Sequence, residues 1–289
     1  MSAPVTIEPL TADGREARAV QRIRAALRRA RGVDLAHYRS SFLRRRLAVR
    51  KRARAAADLD AYAAILARDP EELDALLRAL TINVTEFFRN PDLYQLLETE
   101  VIEPLVRDAR AERRRLRVWC AGCASGEEVY SLAILLDRLG LGRHEATLSG
   151  TDVDPEALAA ARAGRFEESR LREVTPEILN AYFVPGPGPH QWSIRADRLP
   201  PARFRAHDLL SPSLHRGQDL VLCRNVLIYF EQELQERILD RIARSLRPGG
   251  VLVLGRVERI TETVREGFEV VNLRDRVYRR TSTGASHAR

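Results

Sequence analysis

The sequence predicts an α/β fold, in which a small all-helical domain precedes a mostly parallel sheet covered by helices. Residues 15–80 are rich in Ala, Leu and Arg, and Gly32 is their only helix breaker before Pro70, which favours helix. Short apolar runs then alternate with helical segments, and repeated β-α-β units give a parallel sheet with helices on both faces. Two final apolar runs, 268–273 and 276–280, predict a terminal antiparallel hairpin.

Apolar runs and turn residues place the elements of the α/β part. We expect strands at 117–121, 146–151, 204–206, 219–223 and 251–254, and helices at 127–139, 154–163 and 231–246. Residues 247–250 (RPGG) predict a stop and a turn before the fifth strand. Residues 166–203, which contain the run PGPGP, fit neither pattern and are too long for a crossover loop. An inserted subdomain is the simplest interpretation.

The composition is that of an ordinary globular protein, with 45% hydrophobic and 30% charged residues. No apolar run approaches the ~18–20 residues of a membrane span, and the first residues lack the basic and apolar regions of a secretory signal. Three cysteines, an odd number, argue against a disulfide framework and for a reducing compartment. We therefore expect a cytoplasmic protein with no direct membrane insertion.

Positive charge is concentrated near the N-terminus. Residues 15–54 hold fifteen basic and two acidic residues, a local charge of +13, which leaves −5 for the rest of a chain with net charge +8. Such a segment implies an acidic partner, whether nucleic acid, anionic lipid or an acidic protein surface. A helix over 38–54 places four basic residues on one side: Arg44, Arg45, Lys51 and Arg52. The alternative is a solvated charge run.

A turn of small residues, 121–126 (AGCASG), follows the first predicted strand. Gly122 lets the backbone approach a ligand closely, and the helix that follows offers free N–H groups. The turn is neither G-x-G-x-x-G nor a P-loop. Glu127 and Glu128 in the first helical turn would repel a pyrophosphate and suit a ligand with an amine or sulfonium. Alternatively, the two acids only favour the helix dipole.

The carboxyl ends of two further strands carry polar candidates. Asp152 ends the second strand and is placed to accept the ribose hydroxyls of an adenosine-bearing ligand, whereas Asp154 before a proline indicates a helix cap. Arg224, Asn225 and Tyr229 follow the fourth strand and would enter the same crevice. A lone Tyr in an apolar run is more often a core residue, but its polar neighbours favour a site.

The pair Cys120 and Cys123 forms a C-x-x-C motif. A structural zinc ion usually takes four ligands, and no second C-x-x-C or H-x-x-x-H follows. We therefore interpret the two cysteines as small packing residues beside the turn, and we expect no metal.

Five stretches in order resemble the CheR family of chemotaxis receptor methyltransferases. They are TINVTEFFRNP (81–91), RVWCAGCASGEEVYSLAILL (117–136), SGTDVDPEALAAARAGRF (149–166), DLVLCRNVLIYF (219–230) and RPGGVLVLG (247–255). The resemblance extends over about residues 15–280. It implies a class I S-adenosylmethionine methyltransferase of Rossmann-like fold, with an N-terminal helical domain and a small antiparallel β-subdomain.

The resemblance also implies a domain organisation. The expected parts are a flexible N-terminus (1–14), a receptor-docking helical domain (15–80), a linker to the cofactor site (81–92), a methyltransferase domain (93–282) with its β-subdomain at about 166–203, and a flexible tail (283–289).

By the same resemblance, several residues bind S-adenosylmethionine, which the reaction converts to S-adenosylhomocysteine. Asn83, Thr85 and Arg89 are expected to reach the cofactor from the linker. Glu128 is expected to meet the methionine amine, and Asp152 the ribose.

Further along the chain, the resemblance implies the adenine and acceptor ends of the pocket. Asp208, followed by Leu209, aligns with the residue that contacts the adenine edge, where the family often has Asn. Arg224, Asn225 and Tyr229 are expected to border the methyl group and the incoming glutamate.

Two other segments bear on the partner. Gly186 and Gly188 lie in the insertion, which binds a receptor tail peptide in some members of the family and not in others. After the fifth strand the family commonly has Gly-His-Ser-Glu, whereas residues 255–258 here are Gly-Arg-Val-Glu. This departure removes two small polar or titratable groups near the pocket mouth.

The function that these expectations imply is methyl transfer to glutamate side chains on the cytoplasmic domain of a chemoreceptor. A glutamate with a pKa of ~4.3 is already ionised near neutral pH, so no general base is required. We expect Arg89 and Tyr229 to orient it, in a monomer that binds no nucleic acid. The alternatives are a nucleic-acid methyltransferase with a basic docking domain and a non-catalytic adaptor that senses the cofactor.

Overall fold

The computed structural model describes residues 14–31, 33, 35, 38–80, 85–212 and 215–281. Its contacts divide the chain into a helical unit that ends at Ile82 and an α/β unit that begins at Asn83. Residues 1–13 and 282–289, which include nearly all of the expected flexible ends, lie outside the described residues. No helix in the described part of the chain combines the length and the apolar character that crossing a bilayer requires.

Four α-helices are described in the helical unit. They are α1 (Gly14–Arg31), α2 (Ser40–Ala53), α3 (Leu59–Leu66) and α4 (Pro70–Leu80). Asp58 caps α3 by accepting a hydrogen bond from the backbone N–H of Ala61, and Asp69 accepts one from Glu72 at the start of α4. The core of this unit is apolar and includes Ile23, Leu27, Leu47, Tyr62, Leu66 and Leu76.

Helix α2 is more buried than its arginines suggest. Phe42, Leu43 and Leu47 pack inward, whereas Ala53, which the sequence places in the same arc, is exposed because it ends the helix. Of the four basic residues predicted to share one side, Arg45 and Arg52 are exposed, and Arg44 and Lys51 are half-buried.

A buried carboxylate joins three helices of this unit. Glu72 of α4 is 2% exposed and accepts hydrogen bonds from Arg50 of α2 at 3.0 and 2.6 Å and from the Tyr62 hydroxyl of α3 at 2.7 Å. Burial alone would raise the pKa of Glu72, but the bonds from Arg50 and Tyr62 outweigh it and lower the pKa. Arg50, which interrupts the apolar arc of α2, is therefore an internal partner.

Ten strands and seven helices are described in the α/β unit. The strands are β1 (Leu116–Ala121), β2 (Ala146–Asp152), β3 (Arg165–Glu167), β4 (Phe183–Pro185), β5 (Gln191–Ile194), β6 (Ala202–Ala206), β7 (Gln218–Cys223), β8 (Leu246–Leu254), β9 (Phe268–Asn272) and β10 (Val277–Arg280). The helices are α5 (Pro91–Leu96), α6 (Glu103–Ala111), α7 (Glu127–Arg138), α8 (Pro155–Ala163), α9 (Pro176–Tyr182), α10 (Gln232–Ser245) and α11 (Glu262–Arg265), and a π-helical segment (Leu97–Ile102) joins α5 to α6.

Seven strands form one sheet in the order β6-β2-β1-β7-β8-β10-β9. The pairs from β6 to β8 are parallel, and β10 is antiparallel to both β8 and β9. The predicted fold class is confirmed: a mostly parallel sheet with a terminal antiparallel hairpin, preceded in the chain by a helical domain. The strand order reverses between β1 and β7, and ligands of such sheets bind in the crevice at the carboxyl ends of the strands beside this point.

The predicted turn at residues 247–250 is wrong, because these residues lie inside β8. Leu246 pairs with Gln218 and Val251 with Leu220, so the extra residues between them form a bulge in a strand that continues. Gly249 takes a positive φ of 78° there, a conformation that favours glycine.

Residues 166–203 contain a second, three-stranded antiparallel sheet in the order β3-β5-β4. Phe166 and Phe183 of this sheet meet Phe87 edge to face, with ring centroids 4.8 and 5.0 Å apart. In the turn between β4 and β5, the N–H of Gly186 donates to the carbonyl of Gln191 at 2.7 Å. A Cβ on Gly186 would lie 3.0 Å from the backbone of Gln191, so this position needs a small residue, whereas a Cβ on Gly188 would meet only the end of the Gln191 side chain, at 2.8 Å.

Candidate active site

The turn after β1 exposes bare backbone at the carboxyl end of the sheet. Gly122, Ala124 and Gly126 all have positive φ, of 79°, 46° and 93°. The N–H groups of Gly122 and Cys123 donate to the carbonyl of Thr151 in β2, at 2.8 and 2.9 Å, which fixes the turn against the neighbouring strand. A Cβ on Gly122 would lie 2.4 Å from a methyl carbon of Val226, so only glycine fits.

Glu128, on the first turn of α7, forms an ion pair with Arg224 at the end of β7. Nη1 of Arg224 donates to Oε2 of Glu128 at 2.9 Å, and the side chains of Arg224 and Glu128 are 3% and 14% exposed. Burial raises the pKa of Glu128, which the nearby guanidinium opposes. This hydrogen bond reaches Oε2, and the carboxylate has a second oxygen, Oε1, that can accept from another cation.

Its neighbour Glu127 has a different role. The hydroxyl of Ser125 lies 2.8 Å from both oxygens of this carboxylate, and the side chain is 1% exposed. Glu127 therefore stabilises the turn, and its deeper burial leaves Glu128 as the more accessible of the two acids predicted to suit a cationic ligand.

Asp152 holds the turn from the end of β2. Its Oδ2 accepts a hydrogen bond from the N–H of Ala124 at 2.8 Å, and Oδ1 accepts one from the N–H of Asp154 at 3.0 Å. A carboxylate oxygen accepts two hydrogen bonds, so each oxygen retains capacity for a hydroxyl. Burial raises the pKa of Asp152. Asp154 accepts from the N–H groups of Glu156 and Ala157 at the start of α8, which confirms its interpretation as a cap.

The segment after β6 runs beside Asp152. The N–H of His207 donates to the Asp152 carbonyl at 2.9 Å, and Oδ1 of Asp208 accepts from the N–H of Leu210 at 2.8 Å. Leu209 is buried and Asp208 is half-buried. The topology therefore brings this predicted adenine contact to the same crevice as Asp152.

A strained segment before α5 reaches the other side of Arg224. Nη2 of Arg224 donates to the Arg89 carbonyl at 3.0 Å and to Oδ1 of Asn90 at 2.7 Å. Phe88 and Asn90 both have positive φ, of 52° and 67°, and the N–H of Phe88 donates to the Ser131 hydroxyl at 3.0 Å. These bonds hold Arg89, which is half-buried, beside the Glu128 pair.

The rest of the linker is described only in part. The carbonyl of Thr85 accepts a hydrogen bond from Arg170 at 2.5 Å, and the N–H of Phe87 donates to the Arg170 carbonyl at 3.0 Å. Thr85 is half-buried. Asn83, the third residue expected to reach the cofactor, lies outside the described residues.

The loop after β7, called the acceptor loop below, carries residues that are expected at the acceptor end of the crevice. Asn225 has a φ of 59°, and a short 3-10 turn, Leu227–Tyr229, follows it. Asn225 and Tyr229 are half-buried, unlike Leu227 within the same run, which is 1% exposed. Tyr229 is therefore not one of the fully buried core residues.

Three residues that the sequence does not single out as site residues contribute here. Arg170 donates a hydrogen bond to the linker, the side chain of Asn90 accepts one from Arg224, and Glu258 accepts one from the acceptor loop. Asn90 precedes a proline at the start of α5, where the sequence indicates a helix cap. Glu258 has a sequence signal, since it ends the segment that departs from the family pattern.

All three cysteines are buried and free. Burial raises the pKa of the thiols of Cys120, Cys123 and Cys223 well above the ordinary value. The described part of the chain contains no group of His, Cys, Asp and Glu side chains arranged to hold a metal ion. The thiols therefore pack beneath the turn as small apolar groups.

The donor set of this crevice fits an adenosyl ligand that carries an ammonium group. Glu128 offers an oxygen to a cation, and Asp152 offers acceptors to a pair of hydroxyls. Two carboxylates so near the N-terminus of α7 do not fit a pyrophosphate.

The profile described as "CheR methyltransferase, SAM binding domain" matches residues 83–277, and that described as "CheR methyltransferase, all-alpha domain" matches residues 18–81. The chain belongs to the CheR methyltransferase family. The predicted family is confirmed, as is S-adenosylmethionine as the cofactor of its α/β unit. The protein is an S-adenosylmethionine-dependent methyltransferase by this membership.

Curated relatives agree with the family profiles. The chemotaxis protein methyltransferase of Listeria innocua is 35% identical over 244 residues, which cover 83% of this chain and 90% of the relative. That of Escherichia coli is 32% identical over 244 residues, covering 81% and 82%. An uncharacterized 104.1 kDa protein of Rhodobacter capsulatus is 38% identical over 278 residues, 95% of this chain but only 29% of that protein. The chain thus spans less than a third of the length of the Rhodobacter capsulatus protein.

Among solved structures, a SAM-bound amino pentose methyltransferase from Micromonospora echinaspora is similar to 56% of this chain and 49% of its own, with a TM-score of 0.33 and 21% identity.

Proposed function

We propose that this protein methylates glutamate side chains on the cytoplasmic domain of a chemoreceptor, as part of adaptation in chemotaxis-type signalling. The observation that carries the proposal is the chemistry of the acceptor end. Arg89, Asn225 and Tyr229 approach it from two separate segments, and these groups bind an anion well but are poor general bases near neutral pH. A carboxylate is the nucleophile that such a site suits.

S-adenosylmethionine, when bound, supplies an electrophilic methyl group on its sulfonium sulfur. In our proposal Glu128 binds the ammonium group through the oxygen that Arg224 leaves available. Asp152 accepts the ribose hydroxyls, and Asp208 with Leu209 contacts the adenine. The backbone at Gly122 lies against the ligand between these contacts.

The acceptor residues then work by position rather than by proton transfer. A glutamate of pKa ~4.3 arrives ionised, so no proton has to leave it. Arg89 and the Tyr229 hydroxyl hold the carboxylate in line with the methyl group and replace its water. Asn225, immediately after Arg224, borders the methyl group from the end of β7.

Arg224 has a supporting role in this proposal. It is too buried to meet the acceptor, but its guanidinium joins Glu128 to the Arg89 carbonyl and to Asn90. One side chain thus couples the cofactor end of the crevice to the segment that carries Arg89.

The helical unit is proposed to dock on the acidic methylation region of the receptor. The basic side of α2 contains Arg44, Arg45, Lys51 and Arg52, within the segment of local charge +13. The β4–β5 turn, with Gly186 and Gly188, is the proposed site for a receptor tail peptide. We further propose that the protein acts as a cytoplasmic monomer.

The chemical roles are tested by methyl transfer from labelled S-adenosylmethionine to receptor cytoplasmic fragments. Arg89→Ala should lower kcat by about 10²-fold or more, because it removes a charged contact to the acceptor. Tyr229→Phe should lower kcat by up to about tenfold. Arg244→Ala, on the exposed face of α10, is the matched arginine control. Wild-type kcat in both site variants would contradict the assigned roles.

Docking is tested by charge reversal. Arg44, Arg45 and Arg52 changed together to Glu should abolish receptor methylation and leave the S-adenosylhomocysteine Kd unchanged, since these residues lie outside the α/β unit. Reversal of Arg237 and Arg244 on α10 is the control. Equal methylation by the two variants would exclude α2 as the docking surface, and salt-dependent labelling of DNA or RNA would favour a nucleic-acid substrate instead.

A further inference from the structure

A single buried carboxylate lies beneath the acceptor loop. Glu258 is 4% exposed, and each of its oxygens accepts two backbone hydrogen bonds. Oε1 accepts from the N–H of Leu227 at 2.7 Å and of Ile228 at 3.3 Å. Oε2 accepts from the N–H of Asn225 at 2.9 Å and of Gly255 at 2.7 Å. Four backbone donors from two segments therefore meet on one side chain.

The donors belong to the part of the chain that presents the acceptor groups. Leu227 and Ile228 directly precede Tyr229, and Asn225 has the left-handed φ of 59°. Backbone held in that conformation persists only where the surroundings fix it, and no regular strand or α-helix does so here. Glu258 supplies that fixation.

The segment that contains Glu258 is itself fixed to the sheet. The Glu258 N–H donates to the Gly255 carbonyl at 2.8 Å and closes a tight turn. Arg256 forms an ion pair with Asp275 at 2.7 Å, and Arg276 donates to the Arg256 carbonyl at 3.2 Å. The carboxylate therefore ties the acceptor loop to an anchored turn.

Gly255 is required by this arrangement. A Cβ at position 255 would lie 2.7 Å from Oε2 of Glu258 and 2.9 Å from the backbone nitrogen of Asn225. The lack of a side chain at Gly255 thus makes room for the carboxylate of Glu258, three residues later.

We infer that Glu258 is a positioning residue for methyl transfer, which sets the geometry of Asn225 and Tyr229 without touching cofactor or substrate. The inference rests on the proposed function only for the identity of the acceptor. A carboxylate is needed because all four contacts are donors. An amide in the same place must turn its NH₂ toward one pair of N–H groups, which leaves two donors unpaired.

The experiment compares Glu258→Gln and Glu258→Asp with Asp219→Asn in the full chain. Asp219 is another buried carboxylate, at the opposite end of β7, so Asp219→Asn is matched for burial and for the acid-to-amide change, while its side-chain partners are arginines. Three quantities are measured for each folded variant: amide hydrogen exchange at residues 225–229, the Kd of S-adenosylhomocysteine, and kcat and KM for a receptor fragment.

Glu258→Gln should speed exchange at Leu227 and Ile228 and lower kcat by about 100-fold, the loss expected when a reacting group moves by about 1 Å, with the Kd close to that of the wild type. Glu258→Asp, which keeps the charge on a shorter side chain, should recover part of kcat. Asp219→Asn should leave exchange at these amides and kcat of the folded protein unchanged.

The inference is overturned if Glu258→Gln keeps wild-type protection and kcat, or if it matches Asp219→Asn in all three quantities. The exchange and Kd results do not require an acceptor. If the wild type transfers no methyl group to any receptor fragment, the proposed substrate fails, while the exchange result still decides whether Glu258 fixes the loop.

Discussion

Buried carboxylates lie at both ends of the parallel strands, and they are neutralised in different ways. At the amino end of β7, Asp219 is fully buried between Arg114 and Arg247, at 2.7 and 2.9 Å, and also accepts from the N–H of Arg117. At the carboxyl end, backbone N–H groups donate to Asp152 and Glu258. Burial raises the pKa of both acids, and these backbone donors oppose that effect.

The bonding partners of a carboxylate, rather than its residue type, distinguish structural from ligand-binding acids in this sheet. Arg114 and Arg247 pair with Asp219 and also with Glu112, so the two positive and two negative charges of this cluster balance. Backbone amides orient a carboxylate without cancelling its charge, and so they leave it able to attract an ammonium group or accept a hydroxyl. Glu128 is intermediate, because Arg224 takes one oxygen and leaves the other.

The largest expected effect is at the amino end. Asp219→Asn removes the buried anion that Arg114 and Arg247 share, leaves them paired with the exposed Glu112, and should lower the free energy of unfolding by about 3 kcal/mol. Urea denaturation measures this loss. If the same variant weakened S-adenosylhomocysteine binding by more than about twofold, the assignment of this end to stability alone would fail.

At the carboxyl end, Glu128→Gln should weaken S-adenosylhomocysteine binding by about 1.5–3 kcal/mol, or roughly 10- to 150-fold in Kd. The change removes the charge that faces the ligand ammonium and unpairs Arg224. Calorimetric titration measures the Kd, with Glu112→Gln, an exposed acid of the amino end, as the control. A Kd equal to that of the control would remove Glu128 from the binding site.

Ligand binding at the carboxyl end should also depend on pH. Burial raises the pKa of Glu128, and a bound ammonium would lower it again, so ligand affinity is present above the raised pKa and is lost as pH falls through it. The S-adenosylhomocysteine Kd should rise by up to about tenfold per pH unit below that pKa. Glu128→Gln should flatten the profile, and a steep profile in that variant would contradict the account.

The smallest effect is expected at the mouth of the crevice. Val257 is 72% exposed on the turn that Glu258 anchors, where the family commonly has Ser. Val257→Ser should change the KM for a receptor fragment by about two- to threefold and leave kcat unchanged, as surface substitutions contribute about 0.5 kcal/mol. A tenfold change in KM would make Val257 a determinant of substrate choice.

Much of this arrangement is predictable from sequence because it depends on strand order. Gly122, Asp152 and Asn225 each follow a strand at the same sheet edge, so recognising the strands places them together. The ion pair of Glu128 with Arg224 is not predictable, since the two residues are 96 positions apart and each has a separate reason to be polar. The bulge in β8 is missed because Pro and Gly indicate a turn wherever they occur together.

Glu258 shows the same limit in a sharper form. Its role depends on four backbone donors, and a backbone N–H leaves no mark on the sequence. The role of Asn90 is missed for a related reason. Asn90 indicates a helix cap, but its side chain accepts from Arg224 instead because the αL backbone turns it away from α5.

The most direct test of the central claim is the position of the methyl group on a receptor fragment after incubation with the protein and S-adenosylmethionine. Tandem mass spectrometry should place it on glutamate side chains, and mild base should remove it, because a carboxylic ester hydrolyses under those conditions. A base-stable methyl group on nitrogen, or a label found only in nucleic acid, would contradict the account.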